Sequence, residues 1–323
     1  MGHANTLELK GNIPSGMPFD GVFLLRSVSR RTAKNGRPFL SVEVGDRFGS
    51  FSCNIFEDGD GYVLLQNAAV GTILLLSGVT EQFNERFSPR VQSIRRLSPA
   101  EAKSSGFDKA LYGGPKETQD VLQKEFDDYV ARIANEKLQK TVRAAIGEVA
   151  AAFSTGTAAI SMHHAYRCGL LEHSVHVARA GVSLLPHYPF LNADLAIAGM
   201  LLHDVGKALE YCGEGAYERT KIGILQGHVV LGYRIVRKAA IGAQLEDDLL
   251  IQLEHIILSH QGMPEYGAAV LPASPEGVFV ALVDNLDAKM AMVEKALDCT
   301  ASTSAFSEKV PGLESARVYV GGR

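Results

Sequence analysis

The sequence has 323 residues, enough for two domains, and is 46% hydrophobic and 21% charged, as expected of a globular protein with a substantial core. No apolar run approaches the roughly 18 residues of a membrane span, and the first residues lack the basic and apolar regions of a signal peptide. We therefore expect no membrane partner. Scattered cysteines without a C-x-x-C pair favour a reducing, cytoplasmic compartment over a disulfide or zinc-ribbon scaffold: Cys53, Cys168, Cys212 and Cys299.

Charge and histidine are unevenly distributed along the chain. Residues 1–100 carry 11 Lys+Arg against 9 Asp+Glu, a net charge of +2, whereas the remainder carries 21 against 27, a net charge of −6. The N-terminal part is therefore the better candidate for contact with a polyanion. Nine of the ten histidines lie between His163 and His260, which indicates a histidine-rich site in the C-terminal part.

Residues 20–97 contain five short runs, several of which alternate between apolar and polar residues, as β-strands do. Asn35-Gly36 is a hairpin turn signal between the first two runs. In the second run, alternate residues from Leu40 to Val44 form an apolar face, and the residues between them form the other. Five strands in fewer than 80 residues, with a longer connection over 57–70, predict a small all-β Greek-key barrel of the OB type.

From Thr118 to about residue 298 the spacing of apolar residues predicts helices. Asn192 is an expected N-cap, and Ser274-Pro275 an expected helix start. Residues 98–117 are rich in Ser, Gly, Lys and Pro and predict a linker. The predicted protein is multidomain: an OB-fold nucleic-acid-binding domain over 1–100, a linker over 101–117, an all-α helical bundle over 118–300 and a C-terminal tail over 301–323.

Five predicted helices each carry His or Asp in an otherwise apolar pattern. A single such histidine is typical of a hydrogen-bonded core residue, but five helices with similar spacing between their polar residues indicate a shared site. Inward-facing imidazoles and carboxylates from neighbouring helices are how bundles build metal centres, and a set without thiolate suits Mn, Fe, Zn or Mg. The predicted metal ligands are His173, His203, Asp204, His228, His255, His260 and Asp284.

His173, His203-Asp204 and Asp284 match the H…HD…D signature of the HD-domain metal-dependent phosphohydrolases. The whole chain more closely resembles the YhaM-type 3′-to-5′ exoribonucleases, in which an OB-fold is fused to an HD domain. The resemblance covers most of residues 20–295 and is carried by the stretches "TAKNGRPFLSVEVGD", "HHAYRCGLLEH", "LLHDVGK", "GHVVLGY", "ILSHQG" and "DNLDAKM".

Two residues depart from the family pattern. Gln261 replaces the second histidine of the common "SHHG", which bears on any third-metal or proton-transfer role at that position. Cys168 stands in "YRCGL" where "YRGGL" is common, which we interpret as a change in packing.

The resemblance implies an enzyme that hydrolyses the phosphodiester bonds of single-stranded RNA from the 3′ end, with single-stranded DNA as a second candidate substrate. It implies two divalent metal ions, Mn²⁺ first and Fe, Mg²⁺, Zn²⁺ or Co²⁺ as alternatives, and a metal-activated water as nucleophile. The first ion is assigned to His173, His203, Asp204 and Asp284. Asp204 bridges to a second ion held by His228 with His260 or His255.

The resemblance also assigns roles around the metals. The catalytic residues are Asp204, His228 and Lys207; Lys207 lies one turn beyond His203 and is expected to pair with the scissile phosphate. The alternative for Lys207 is a lysine that only favours the helix dipole. Expected substrate contacts are His163, His164, Arg167 and Lys207, and expected nucleic-acid contacts on the barrel are Arg30, Arg31, Lys34, Arg37, Phe39 and Phe56.

Three other functions are compatible with these residues. The first is an HD-family nucleotidase or cyclic-nucleotide phosphodiesterase that acts on a small nucleotide. The second is di-iron oxygenase chemistry on a similar His/Asp set, and the third is a nucleic-acid-binding protein with an inactive HD domain. The number of chains in the assembly stays open, and a homo-oligomer is compatible with the sequence.

Overall fold

The computed structural model describes residues 4–10, 14–33, 35–83, 86–105, 107, 111–160, 164–213, 217–300 and 304–321. The predicted contacts Lys34 and His163 lie outside the described residues. The chain divides into two compact units: residues 1–113 with 293–323, and residues 114–292.

The first unit is built on a five-stranded antiparallel sheet, which confirms the OB-like fold predicted for the N-terminal part. Its spatial order is β3-β2-β1-β4-β7. Two-residue strands β5 (Gln82–Phe83) and β6 (Arg86–Phe87) pair separately between β4 and β7. The long strands are β1 (Pro18–Thr32), β2 (Pro38–Asp46), β3 (Gly49–Phe56), β4 (Ile73–Val79) and β7 (Arg90–Leu97).

The two faces of this sheet differ as the alternation predicts. In β3 the side chains of Phe51, Cys53 and Ile55 are buried and the residues between them are exposed or partly exposed. The register places Arg31 opposite Phe39, and Phe39 opposite Phe56, so these three side chains share the outer face. Phe39 and Phe56 lie with ring centroids 5.6 Å apart. The outer face therefore carries an accessible aromatic pair beside an arginine.

Short helices complete the first unit: α1 (Thr6–Lys10), α2 (Tyr62–Gln66) and α3 (Pro99–Ser104). The segment expected to be an open linker contains α3, which Ser98 and Glu101 cap reciprocally through their side chains and backbone N–H groups. Ala102 and Leu111 from this segment are fully buried. Residues 301–323, expected to be a tail, contain the hairpin β10 (Phe306–Val310) and β11 (Ala316–Tyr319) and group with this unit.

The second unit is a helical bundle, as predicted. Side chains of Thr118, Asn135, Asn192 and Thr220 accept backbone N–H groups at the starts of four of its helices. The helices are α4 (Gln119–Arg132), α5 (Glu136–Thr155), α6 (Gly169–Leu184), α7 (Ala193–Leu202), α8 (Lys207–Glu210), α9 (Lys221–Gly242), α10 (Asp247–Ser259) and α11 (Pro275–Asp298), of which residues 293–298 group with the first unit. None of the helices in the described ranges is both long and apolar enough to cross a bilayer.

Two short strands correct the expectation that the whole C-terminal part is helical. Here β8 (Tyr211–Cys212) pairs with β9 (Glu218–Arg219). Gly213 has a φ of 111°, which is open to glycine but strained for other residues, so the chain turns where a helix cannot continue.

Helix α7 lies at the centre of the bundle core. Every side chain from Leu195 to Leu202 is buried, because this helix is apolar on all sides. The chain then turns at Gly206, whose α-carbon faces the backbone of α9: an added Cβ would lie 2.0 Å from the carbonyl oxygen of His228. The turn after α7 and the helix that carries His228 are therefore in direct backbone contact.

This contact predicts a difference between two glycine substitutions. Gly206→Ala forces the turn away from α9, and we expect the free energy of unfolding to fall by about 1–3 kcal/mol. Gly147→Ala, within α5, meets open space and removes a flexible residue from a helix, so it should be neutral or stabilising by up to about 1 kcal/mol. Urea unfolding followed by circular dichroism measures both, and equal midpoints for the two variants would contradict the contact.

Candidate metal centre

The end of α7 brings two neighbouring residues to one point. Successive side chains on a continuous helix diverge by about 100°. Here α7 ends at Leu202 and the chain turns through residues 203–206, so that His203 Nε2 lies 3.4 Å from Asp204 Oδ2. Both side chains are buried. The sequence "HD" thus delivers an imidazole and a carboxylate to the same side of the turn.

Two of the histidines donate a hydrogen bond from Nδ1 to a backbone carbonyl group. His203 Nδ1 lies 2.8 Å from the oxygen of Met200, and His260 Nδ1 lies 2.8 Å from the oxygen of Ile257. A carbonyl oxygen only accepts, so each Nδ1 is the donor. In the neutral ring the opposite nitrogen, Nε2, then carries a lone pair.

Two further histidines use side-chain carboxylates in the same way. His173 Nδ1 donates to Asp287 Oδ2 at 2.7 Å, and His228 Nδ1 donates to Glu210 Oε2 at 2.8 Å. A carboxylate or carbonyl on the far nitrogen is the usual support of a metal-binding histidine, since it fixes the tautomer and the ring orientation. All four rings therefore direct Nε2 inwards.

The first group of inward atoms comes from α6, the turn after α7, and α11. His173 Nε2 and His203 Nε2 are 3.1 Å apart, and His173 Nε2 lies 3.1 Å from Asp284 Oδ1 and 3.4 Å from Asp204 Oδ2. Two lone pairs at this distance repel unless a proton or a cation lies between them. The arrangement fits a cation held by two nitrogens and two carboxylates.

The second group shares Asp204 with the first. Asp204 Oδ1 lies 3.4 Å from His260 Nε2 and 3.6 Å from His228 Nε2, and these three residues could hold an ion. Asp204 Oδ1 is inaccessible to water and has no hydrogen-bond partner among the described residues. A buried carboxylate oxygen left in this way is costly, and a metal ion is a partner that removes the cost. Asp204 thus offers one oxygen to each group.

The electrostatics of the centre favour positive charge. Burial favours a neutral acid, but the Lys207 ammonium group and the neighbouring imidazoles hold the pKa of Asp204 well below its usual range. Burial likewise raises the pKa of Asp284, but His203 and His173 outweigh it and lower that pKa to about 2. Burial lowers the pKa of His228 and keeps its ring neutral, as a ligand requires.

Lys207 lies at the first position of α8 and is buried against this centre. Its Nζ donates to Asp204 Oδ2 at 2.6 Å. Burial acts to lower the pKa of Lys207, but the Asp204 carboxylate raises it above its ordinary value, so the group is a cation. The structure therefore places Lys207 within the cluster, as the sequence predicted.

A buried network supports the outer side of His173. Asp287 Oδ2 lies 3.0 Å from His164 Nε2 as well as 2.7 Å from His173, and His164 Nδ1 lies 3.1 Å from Glu172 Oε2. Tyr166 donates to the same Glu172 oxygen. Both ring nitrogens of His164 face carboxylates, and a contact between His164 and substrate stays a prediction.

Two other predicted residues lie apart from the cluster. His255 Nε2 accepts the backbone N–H of Ala273 at 2.8 Å, in the loop before α11. It belongs to neither of the two metal-type groups, the first with His173, His203, Asp204 and Asp284 and the second with Asp204, His228 and His260. Arg167 is exposed in the turn before α6. The remaining predicted ligands come together: His173, His203, Asp204, His228, His260 and Asp284.

Sequence reasoning missed the supporting carboxylates. Asp287 lies one helical turn after Asp284 in "DNLDAKM", and Glu210 lies one turn after Lys207. An acidic residue three positions from a predicted centre residue on an apolar helix is the signal that could have found both. Glu172 adjoins His173 in the sequence and carries a similar signal.

Comparison with known proteins agrees with this geometry. The family model for the HD domain matches residues 170–289. The 3′-5′ exoribonuclease YhaM of Shouchella clausii is 30% identical over 308 residues, 94% of this chain and 93% of that protein. The YhaM protein of Listeria innocua is 30% identical over 296 residues, 92% of this chain and 93% of that protein. A chain of a Replication Protein A heterotrimer bound to ssDNA matches 30% of this chain and 68% of its own at 15% identity and a TM-score of 0.23, too slight to bear on fold or function.

The unpartnered Asp204 oxygen predicts that divalent metal stabilises the fold. Adding Mn²⁺ to chelator-treated protein should raise the melting temperature, and an ion at 100 times its dissociation constant contributes about 2.7 kcal/mol. Asp204→Ala should remove the effect, whereas Asp128→Asn, at an exposed ion pair with Lys124, should retain it. Differential scanning calorimetry measures the shift. An equal response of the two variants would show that the ion binds elsewhere.

Proposed function

Because this chain belongs to the YhaM family of 3′-5′ exoribonucleases, we propose that it degrades single-stranded RNA from the 3′ end by metal-dependent hydrolysis. Single-stranded DNA is the second substrate to test, and Mn²⁺ is the first ion to test, since nitrogen and oxygen ligands without thiolate suit it. The four cysteines are free, which is typical of a reducing compartment, and we place the activity in the cytoplasm.

The observation that supports this proposal is the position of Asp204 between two groups of histidine nitrogens. His173, His203 and Asp284 complete the first group, and His228 and His260 complete the second. Divalent cations bound there supply a water of lowered pKa as the nucleophile and neutralise charge on the phosphate. The chain itself offers two adjacent groups of ligand atoms for these ions, and a hydrogen bond at Nδ1 fixes the orientation of each of the four histidines.

Lys207 is the residue that we assign to the scissile phosphate. Its ammonium group is fixed by Asp204 at 2.6 Å and borders the metal-type groups, so it offers a preorganised positive charge beside them. A fixed charge of this kind stabilises the extra negative charge that develops on the phosphate as the bond breaks. Simple compensation of the dipole at the C-terminal end of α7 accounts less well for its contact, because Lys207 Nζ donates to the Asp204 carboxylate.

The outer face of the OB-like sheet is the surface that we assign to the RNA. Arg31, Phe39 and Phe56 lie side by side across three strands, and Phe56 is 41% exposed. Aromatic rings accept stacked bases of any identity, and an adjacent arginine attracts the backbone, as single-strand binding without sequence preference requires. Arg30 faces the other side of its strand, and Arg37 pairs with Asp58 at 2.9 Å, so we give these two a smaller part.

A labelled-substrate assay tests the activity. With a 5′-labelled single-stranded RNA and Mn²⁺, the wild type should give a ladder that shortens from the 3′ end, and Asp204→Asn should abolish it. Lys207→Met should lower kcat by about 100-fold, because a group aimed at the transition state is lost. Asp128→Asn is the matched control. Hydrolysis of mononucleotides or cyclic nucleotides without any cleavage of RNA would instead indicate a small-molecule phosphohydrolase.

A matched pair of arginine variants tests the sheet face. Phe56→Ala and Arg31→Ala should raise KM for a 20-nucleotide RNA and leave kcat within about twofold. Phe56→Ala removes a stacked base worth about 1–3 kcal/mol of binding free energy, and Arg31→Ala removes less. Arg30→Ala, one residue away on the opposite face, should change KM little. Steady-state kinetics on long and dinucleotide substrates measures the effect, and an equal loss from Arg30→Ala would contradict the assignment of this face.

A further inference from the structure

Gln261 lies just beyond the end of α10, next to a histidine of the second metal-type group. Helix α10 ends at Ser259, and Gly262 follows with a φ of 76°, a left-handed conformation suited to glycine. Gly262 N–H donates to the Ser259 carbonyl at 2.8 Å, which closes the turn. Because the helix ends here, the consecutive side chains of His260 and Gln261 face the same point instead of diverging.

The side-chain amide of Gln261 contacts both histidines of that group. Its Nε2 lies 2.9 Å from His260 Nε2 and 3.4 Å from His228 Nε2. Both ring nitrogens carry lone pairs, because the Nδ1 atoms donate to Ile257 and Glu210. The amide therefore lies where the lone pairs of these two rings converge, on the group that also contains the unpartnered Asp204 oxygen.

We propose that Gln261 is a ligand of the second metal ion, through its amide oxygen. A primary amide carries a donor and an acceptor at nearly equivalent positions, and half a turn about its last torsion exchanges them. An NH₂ group directed at a cation is repelled, whereas the carbonyl oxygen is attracted. The second group then consists of two imidazole nitrogens, one oxygen of Asp204 and one amide oxygen. This inference rests on the two-metal centre of the proposed function.

With an amide ligand in the second group, the two metal positions differ in their affinity for a divalent ion. The first group contains Asp284 in addition to the shared Asp204, whereas Gln261 adds an oxygen but no charge to the second. Since carboxylates bind divalent cations more strongly than neutral oxygens do, the second ion is held more weakly and exchanges first. The extra oxygen also favours Mn²⁺ or Mg²⁺ over the ions that prefer nitrogen.

Metal titration of the full chain tests this assignment without any activity measurement. Chelator-treated protein is titrated with MnCl₂, and free Mn²⁺ is followed by electron paramagnetic resonance. The wild type should take up two ions, one tightly and one more weakly. Gln261→Ala should keep the tight ion and bind the second at least tenfold more weakly. Gln261→Glu should bind the second ion at least tenfold more tightly than wild type, because it adds a charged oxygen.

Gln252→Ala is the control, since this glutamine lies on the same helix α10 and bonds to Asp248 at 2.6 Å. It should titrate as the wild type does. Unchanged second-ion binding in Gln261→Ala or in the near-isosteric Gln261→Glu overturns the assignment, even if the alanine variant alone misfolds. A wild type that takes up fewer than two ions overturns the two-metal centre itself, and with it this ligand.

Discussion

The contacts of the buried Asp204 carboxylate with Lys207 and the surrounding histidines determine how the centre of the bundle is arranged. The carboxylate is buried at the end of the most apolar helix, where a charge is costly unless it is matched. One of its oxygens accepts from Lys207, and the other lies 3.6 Å from His228 Nε2 and 3.4 Å from His260 Nε2 without a hydrogen-bond partner among the described residues. Such an arrangement is stable when positive charge is supplied between these atoms. The bundle therefore accommodates positive charge at this point.

The outer hydrogen bonds show how the chain keeps the ligands in place. Two histidines are fixed by carbonyl groups of their own helices, and two by carboxylates, Asp287 and Glu210, from elsewhere in the bundle. Each outer bond fixes the tautomer, so the ring nitrogens need not reorient when an ion binds. Ligands held in this way lose little conformational entropy on binding, which increases affinity without any further contact.

Patterns local in the sequence predicted the fold and most of the residues that cluster at the centre, whereas contacts between distant residues were not predicted. Alternation in β2 and β3 gave the two sheet faces, and Asn192 marked the start of α7, because each depends only on neighbouring residues. The sequence offers His255 as an alternative to His260, yet the His255 ring accepts the backbone N–H of Ala273, 18 residues away. The supporting role of Asp287 likewise depends on a distant residue, since its carboxylate accepts from His173, 114 residues away.

Anomalous diffraction from crystals grown with Mn²⁺ would locate the ions relative to Asp204. We expect two peaks at the manganese absorption edge on opposite sides of the Asp204 carboxylate, one bordered by His173, His203 and Asp284 and the other by His228 and His260. A single peak remote from Asp204, or no peak although both histidine groups keep the geometry described above, would contradict this expectation.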